Sequence, residues 1–325
     1  MTKTPHAIAL TGPTASGKTA LSIALAKEFR CEIISCDSQQ IYRGMDIGTA
    51  KVTEEEKCGI PHYLTDIISP SESFSAMQYR EAARPLVKDI ISRGMTPLFV
   101  GGTGLYLETV CRGESPEAPE SNEEYRRRML GTIKTENDRI ALHKRLEAID
   151  PESAAAIHYN NVKRVIRALE IYDTTGKPKS YFDRLSRNSA PTLTLTHLTL
   201  DFHNRENLYE RIRKRVDLML KAGLEAELDR LLALGYLTDG GTACGAIGYK
   251  EIIEGRRSGL RVEQIAENIK LASTSYAKRQ LTWFRHRSGA IPFFVDTESG
   301  QMLQSRELQC RLIEAVREAL PKNDN

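Results

Sequence analysis

The sequence predicts an α/β fold, a parallel sheet flanked by helices and interrupted by a helical insertion. Three observations predict it. First, an apolar run at Ala7–Thr11 leads through a Gly-rich loop into a helical pattern at Lys18–Phe29 and a second apolar run at Glu32–Cys36. Strand, loop, helix and strand within about 30 residues make one βαβ unit, which implies a parallel sheet. Second, apolar runs recur at Pro97–Val100 and Pro191–Phe202, the latter alternating with period two. Third, the stretch from Glu123 to Thr175 is charged, helical in pattern and strandless.

The remaining elements follow in order. Ser75–Arg93 reads as a helix, with capping-box spacing between Ser75 and Gln78 and a stop at Gly94. Pro97–Val100 runs into Gly101-Gly102-Thr103-Gly104 and a helix-like segment. Gly113–Asn122, with two prolines, reads as a linker. The helical block breaks near Gly131 and at Asp150-Pro151, and Pro191–Phe202 returns to the sheet. Helices are expected at 204–222 and 224–234, then a Gly-rich loop (Gly240–Gly248) and a long helix at Arg261–His286. Ile291–Val295 is expected as a last strand and Ser305–Leu320 as a closing helix. Residues 1–112 and 191–325 would then form the core, and 113–190 the insertion.

Composition narrows the function classes. At roughly 150 residues per domain, 325 residues suggest about two units. Hydrophobic residues at 40 % and charged residues at 27 % describe a folded soluble chain rather than a disordered one. No stretch approaches the ~20 apolar residues that span a bilayer. The first ten residues do not read as a signal peptide, so a cytoplasmic protein with no membrane partner is expected. The six cysteines include no CxxC pair, so neither a disulfide framework nor a zinc cluster is expected. The net charge of +3 hides basic stretches: 256–290 has eight Lys/Arg against two Glu, and 161–190 has seven basic residues against three acidic. Both a polyanion-binding face and a solvated surface fit this pattern.

Gly12-Pro13-Thr14-Ala15-Ser16-Gly17-Lys18-Thr19 matches GxxxxGK[ST] between a strand and a helix. The backbone N–H groups and the helix dipole hold phosphate, Lys18 adds charge, and the Thr19 hydroxyl is placed for Mg²⁺. The fold class is accordingly P-loop NTPase-like. The motif does not identify the phosphate compound, and a nucleoside triphosphate such as ATP is the default. Asp37 follows the second strand, where a carboxylate binds metal through water, accepts a proton or caps a turn. Gly101-Gly102-Thr103 ends the next strand at the same edge, as a ligand-approach turn or a plain tight turn. Arg205, Arg211, Arg213, Lys214 and Arg215 lie on or near one helix, with Arg211 and Arg215 on one face. A diphosphate clamp and intrahelical salt bridges fit this cluster equally. Lys278–Arg285 mixes cations with the one Trp, whose expected role is core packing. Lys163, Arg164 and Arg167 form a further basic stripe.

Taken together, GPTASGKT, SCDSQQIYRGMDIGTAK (Ser35–Lys51), VGGTGLY (Val100–Tyr106), NVKRVIRALEIYDTTGK (Asn161–Lys177), GAIGYKE (Gly245–Glu251) and KRQLTWFR closely resemble the tRNA dimethylallyltransferase (tRNA isopentenyltransferase) family. The resemblance runs over nearly the whole chain, in the compact form without a zinc finger. It implies transfer of a dimethylallyl group from dimethylallyl diphosphate to the exocyclic amine of the adenosine 3′ of the anticodon, with Mg²⁺ as cofactor and a monomeric enzyme. The phosphate loop, Gly12 to Thr19, would then hold prenyl diphosphate, with Arg215 on the diphosphate. Asp37 would be the general base and Thr103 would contact the target adenine. Asp37, Ser38, Gln39, Gln40, Thr103, Arg126, Lys163, Arg164, Val165, Ile166, Arg167, Gly245, Ala246, Ile247, Gly248, Tyr249 and Lys250 would lie along the tRNA. One departure is Gly245, where the family pattern has a basic residue. Three rival readings remain at this point: a P-loop phosphotransferase, an isopentenyltransferase acting on free adenine nucleotide, and a nucleotide-gated RNA-binding protein.

Overall fold

The structure, a computed structural model, describes residues 4–113, 118–119, 122–237, 242–286 and 289–321. Most of the expected linker (114–117 and 120–121) and the start of the expected Gly-rich loop (240–241) lie outside the described residues. The chain divides into two compact units, Met1–Cys111 with Leu193–Asn325, and Arg112–Thr192.

The first unit begins with β1 (His6–Thr11), α1 (Lys18–Glu28), β2 (Cys31–Cys36), α2 (Glu54–Lys57), β3 (His62–Tyr63), α3 (Ala76–Ser92), β4 (Thr96–Gly101) and α4 (Gly104–Cys111). The second unit is helical: α5 (Glu123–Gly131), α6 (Glu136–Ile149), α7 (Pro151–Ala156), α8 (Val162–Thr175) and α9 (Lys179–Asn188). The chain then returns to the first unit with β5 (Thr194–Asp201), α10 (Arg205–Lys221), α11 (Leu224–Ala233), a 3-10 turn at Ala243–Gly245, α12 (Tyr249–Arg257), α13 (Val262–Arg285), β6 (Ala290–Phe294) and α14 (Ser305–Ala319).

The six strands form one parallel sheet in the order β3-β2-β4-β1-β5-β6. Both faces are covered, and the strand alternation shows it. Ile8 and Leu10 of β1 pack with Leu21 and Leu25 of α1 on one face. Ala7 and Ala9 pack with Tyr79 and Val87 of α3 on the other. A sheet buried on both faces reads as continuous apolar runs, which is why β1, β2 and β4 are visible in sequence. β3, with two half-buried residues at the edge, leaves no such signal. The Ser75–Gln78 capping box forms as expected at the start of α3.

The second unit has its own core around Leu146, Ala154, Val165 and Leu169. Asp150 closes α6 and caps α7 through the Ser153 N–H, which explains the break at Asp150-Pro151. No helix among the described residues is long and apolar enough to cross a membrane.

Candidate active site

β1, β2 and β4 are neighbours in the sheet, and their carboxyl ends deliver three loops to one edge. Ligands of open α/β sheets bind at that edge. β1 ends in the phosphate loop, β2 in Asp37, and β4 in Gly101–Thr103. A cavity of about 650 Å³ opens there, lined by Thr14–Thr19, Asp37–Gln40, Gly48–Ala50 and Gly245–Gly248, with α10 and α13 contributing the rest.

The loop closes onto α1 through Gly17, whose φ of 96° is a conformation that side chains disfavour. Lys18 is half-buried, and its Nζ donates to the carbonyls of Gly12 (3.0 Å) and Pro13 (2.7 Å). It thus bridges the loop that it serves. Burial pulls the Lys18 ammonium down to about 7; the Asp37 carboxylate opposes this shift, and Arg215 adds to it. An anion in the cavity would restore its charge. Ser16 Oγ in the same loop is buried without a hydrogen-bond partner among the described residues, a hydroxyl suited to a phosphate oxygen.

The structure separates the arginines that the sequence left undivided. Arg211, Lys214 and Arg215 line the cavity. Arg211 donates from Nε to the Ala15 carbonyl at 2.7 Å, and Arg215 from Nη2 to the Thr49 carbonyl at 3.4 Å. Burial lowers the pKa of both guanidinium groups, and the Asp37 carboxylate opposes this at Arg215. Arg205 instead pairs with Asp201 at 2.9 Å, and Arg213 pairs with Glu206.

Asp37 caps a turn, one of its three expected uses, and its carboxylate also borders the cavity. Oδ1 accepts the Gln39 N–H at 2.9 Å, which is a turn cap. The same carboxylate faces the cavity and carries the field felt by Lys18 and Arg215. Thr103 is half-buried beside it. Its Oγ1 accepts the Ser38 N–H at 3.0 Å and hydrogen-bonds the Tyr276 hydroxyl. Tyr276, which lines the cavity from α13, carried no sequence signal. Burial raises its phenol pKa, and the nearby Asp37 carboxylate adds to that.

The cavity presents oxygen donors of the kind that a magnesium ion takes. Mg²⁺ takes oxygen ligands and is commonly bound through one or two carboxylates plus phosphates and water. Thr19 and Asp37 line the cavity, and no cluster of three His, Cys, Asp or Glu able to hold a metal occurs among the described residues.

The IPP transferase family model matches residues 40–287. The chain belongs to the IPP transferase family. It is 44 % identical to the tRNA dimethylallyltransferase of a Thermoanaerobacter species over 290 residues, covering 89 % of this chain and 91 % of that relative. It is similar to the crystal structure of the full-length tRNA isopentenylpyrophosphate transferase from Bacillus halodurans, at 39 % identity, TM-score 0.69 and 98 % coverage of both chains. A eukaryotic dimethylallyltransferase captured in crystals acting on tRNA matches at 27 % identity and TM-score 0.78, covering 99 % of this chain and 81 % of that one.

In this IPP transferase family member, several expected RNA-facing side chains turn inward. Tyr249 is fully buried, and its hydroxyl donates to Glu227 Oε1 at 2.6 Å. Ala246 is also buried, whereas Lys250 is exposed and pairs with Glu254 at 3.7 Å. The Glu227 carboxylate collects the N–H groups of Asp46, Ile47 and Gly48 at 2.9–3.1 Å. This fixes the segment whose next residue, Thr49, meets Arg215. Sequence reasoning missed Glu227, because a Glu on an amphipathic helix reads as exposed. In the second unit, Val165 and Ile166 are buried, so their side chains offer nothing to RNA. Arg126 and Arg167 both pair with the buried Glu170, at 2.9 and 3.0 Å. Lys163 and Arg164 are the exposed members of that stripe.

Proposed function

We propose that this chain transfers the dimethylallyl group of dimethylallyl diphosphate to the exocyclic N6 amine of the adenosine 3′ of the anticodon in tRNA, releasing diphosphate. One observation carries the reading: a single cavity joins a phosphate loop and three cationic side chains of α10 to one carboxylate, Asp37. The cradle suits a diphosphate leaving group, and Asp37 supplies the base that an amine acceptor needs.

The adenine amine is a poor nucleophile, because its lone pair is delocalised into the ring. Asp37 accepts its proton as the N6–C1 bond forms. The C1–O bond breaks, and its electron pair leaves on the diphosphate. The loop N–H groups, Lys18, Arg211 and Arg215 stabilise that developing charge. The Thr19 hydroxyl would help hold a Mg²⁺ ion, which would neutralise more of that charge. The target base turns out of the anticodon loop to reach the carboxylate. Asp37–Gln40, Thr103 and the backbone of Gly245–Gly248 border its path. The helical unit grips the tRNA through Lys163 and Arg164, and the enzyme works in the cytoplasm. The P-loop NTPase-like arrangement supplies the cradle, and the cavity holds the prenyl diphosphate instead of ATP.

The test is incubation of the purified protein with dimethylallyl diphosphate, Mg²⁺ and unmodified tRNA, followed by mass analysis of the digested nucleosides. The expected product is N6-dimethylallyl adenosine at the position 3′ of the anticodon. Prenylation of AMP in place of tRNA, or phosphate transfer from ATP with no prenyl transfer, overturns the reading.

A further inference from the structure

Gln280 lies on α13 inside the KRQLTWFR segment, and it is only 5 % exposed. Its side-chain amide is used at both ends. Oε1 accepts the backbone N–H of Thr14 in the phosphate loop at 2.8 Å. Nε2 donates to the backbone carbonyl of Gly102 at 3.0 Å. The partners fix the amide orientation, because a backbone N–H only donates and a carbonyl only accepts. The two loops follow β1 and β4, adjacent strands of the sheet. Gln280 therefore ties the loop that cradles the donor to the turn that carries Thr103.

The approach is close. A Cβ on Gly102 would lie 2.0 Å from Gln280 Nε2, so the turn requires glycine for this hydrogen bond to form. One helical turn earlier, Tyr276 hydrogen-bonds Thr103 and stands in the field of Asp37. Three residues later, Trp283 packs so tightly on Gly104 that a Cβ there would lie 1.9 Å from its Nε1. Tyr276, Gln280 and Trp283 present one face of α13 to the acceptor-side turn. The mixed basic and aromatic segment is thus, at these positions, a buttress inside the protein.

We propose that Gln280 is a positioning residue that sets the separation between the donor cradle and the acceptor turn. The proposal rests on the transfer reading above. Reaction between two bound substrates needs the amine and the prenyl carbon about 3–3.5 Å apart, and a displacement of about 1 Å costs up to about 10²-fold in rate. Each substrate keeps its own binding groups when the bridge is broken, so affinity and rate separate. A buried glutamine that only satisfies two backbone groups predicts lower stability with no such separation.

The experiment measures single-turnover prenyl transfer with both substrates saturating, together with the dissociation constants of dimethylallyl diphosphate and tRNA. Wild type is compared with Gln280→Met, which conserves volume; Gln280→Glu, which keeps the acceptor and loses the donor; Gly102→Ala; and the Gln280→Met/Gly102→Ala double variant. Thermal unfolding checks that each is folded. The expected result is a rate about 10–100-fold lower in each single variant, with both dissociation constants within about threefold. The double variant should be no slower than the slower single variant, because both changes break the same bridge. A rate within about twofold of wild type in folded Gln280→Met or Gln280→Glu, losses that multiply in the double variant, or a rate loss matched by weaker binding overturns the proposal. Wild type failing to prenylate tRNA at all would instead overturn the functional reading.

Discussion

The Thr103 hydroxyl accepts the Ser38 N–H at 3.0 Å, which ties the turn after β4 to the residue following Asp37. The Thr103 N–H in turn donates to the Cys36 carbonyl at 3.0 Å. Cys36 and Gly101 are register partners in the β2–β4 pair. The position of the carboxylate relative to the Gly101–Thr103 turn is therefore set by sheet register, in a sheet packed on both faces.

Thr103→Val removes that acceptor and leaves the Ser38 N–H without its partner, at a cost of about 1–3 kcal/mol. Prenyl transfer at saturating substrates should slow by about tenfold or more as Asp37 loses its fixed position. Thr103→Ser keeps the hydroxyl and should restore most of the rate. Equal rates for the valine and serine variants would show that the hydroxyl does nothing for catalysis.

Lys18→Ala and Arg215→Ala should each weaken dimethylallyl diphosphate binding by about 1.5–3 kcal/mol, the range for hydrogen bonds to charged groups. Calorimetric titration reads this directly. Arg205→Ala serves as the contrast on the same helix, since its guanidinium is engaged by Asp201. Its diphosphate affinity should match wild type. A loss at Arg205 equal to that at Arg215 would contradict the division of α10 into cavity-lining and salt-bridged arginines.

The parts of this protein that were legible in sequence are those whose signal is local. The phosphate loop declares itself through residue types at fixed spacing, and β1, β2 and β4 through apolar runs that two-sided burial demands. The site was legible as three loop ends, because strand ends of a parallel sheet share an edge. What escaped was long-range partnership. Glu227 reads as a surface residue until the N–H groups of Asp46–Gly48 are found on it, 179–181 residues away in sequence. Gln280 meets Thr14 across 266 residues. Arg126 belongs to a basic run by spacing, yet its pairing with Glu170, 44 residues away, is visible only in three dimensions. α9 and α12 were missed, and the segments ahead of them gave no strong start signal, since neither N-cap residue, Pro178 or Gly248, has a side chain that caps.

Salt dependence separates the arginines held by Glu170 from the exposed cations. Lys163→Ala with Arg164→Ala should flatten the slope of log affinity for tRNA against log salt, by roughly 0.7–0.9 for each phosphate no longer neutralised. Diphosphate affinity should not change. Binding titrations at several salt concentrations make the comparison, and an unaltered slope would identify the stripe as a solvated face.

His197 predicts a pH effect on folding. Its Nε2 lies 2.8 Å from Thr11 Oγ1, and burial pushes the imidazole down from 6.5 to about 4. The folded state thus favours the neutral ring. Its contribution to stability is full above pH 6.5 and is lost as the pH falls toward 4, at about 1.4 kcal/mol per pKa unit. Chemical denaturation of His197→Gln should show a shallower loss than wild type across that window. Parallel curves would show that the buried imidazole is not what senses the acid.

The role of Asp37 is the centre of the account. Its most direct test is the single-turnover rate of dimethylallyl transfer to tRNA with both substrates saturating, in wild type and in Asp37→Asn. The asparagine keeps an oxygen for the Gln39 N–H, so the turn remains capped, but it cannot take the amine proton. The expected rate is about 10²–10⁴-fold lower, with diphosphate binding changed by no more than a few-fold. An Asp37→Asn enzyme that transfers the prenyl group within a few-fold of the wild-type rate would contradict it, and would leave the carboxylate as a turn cap alone.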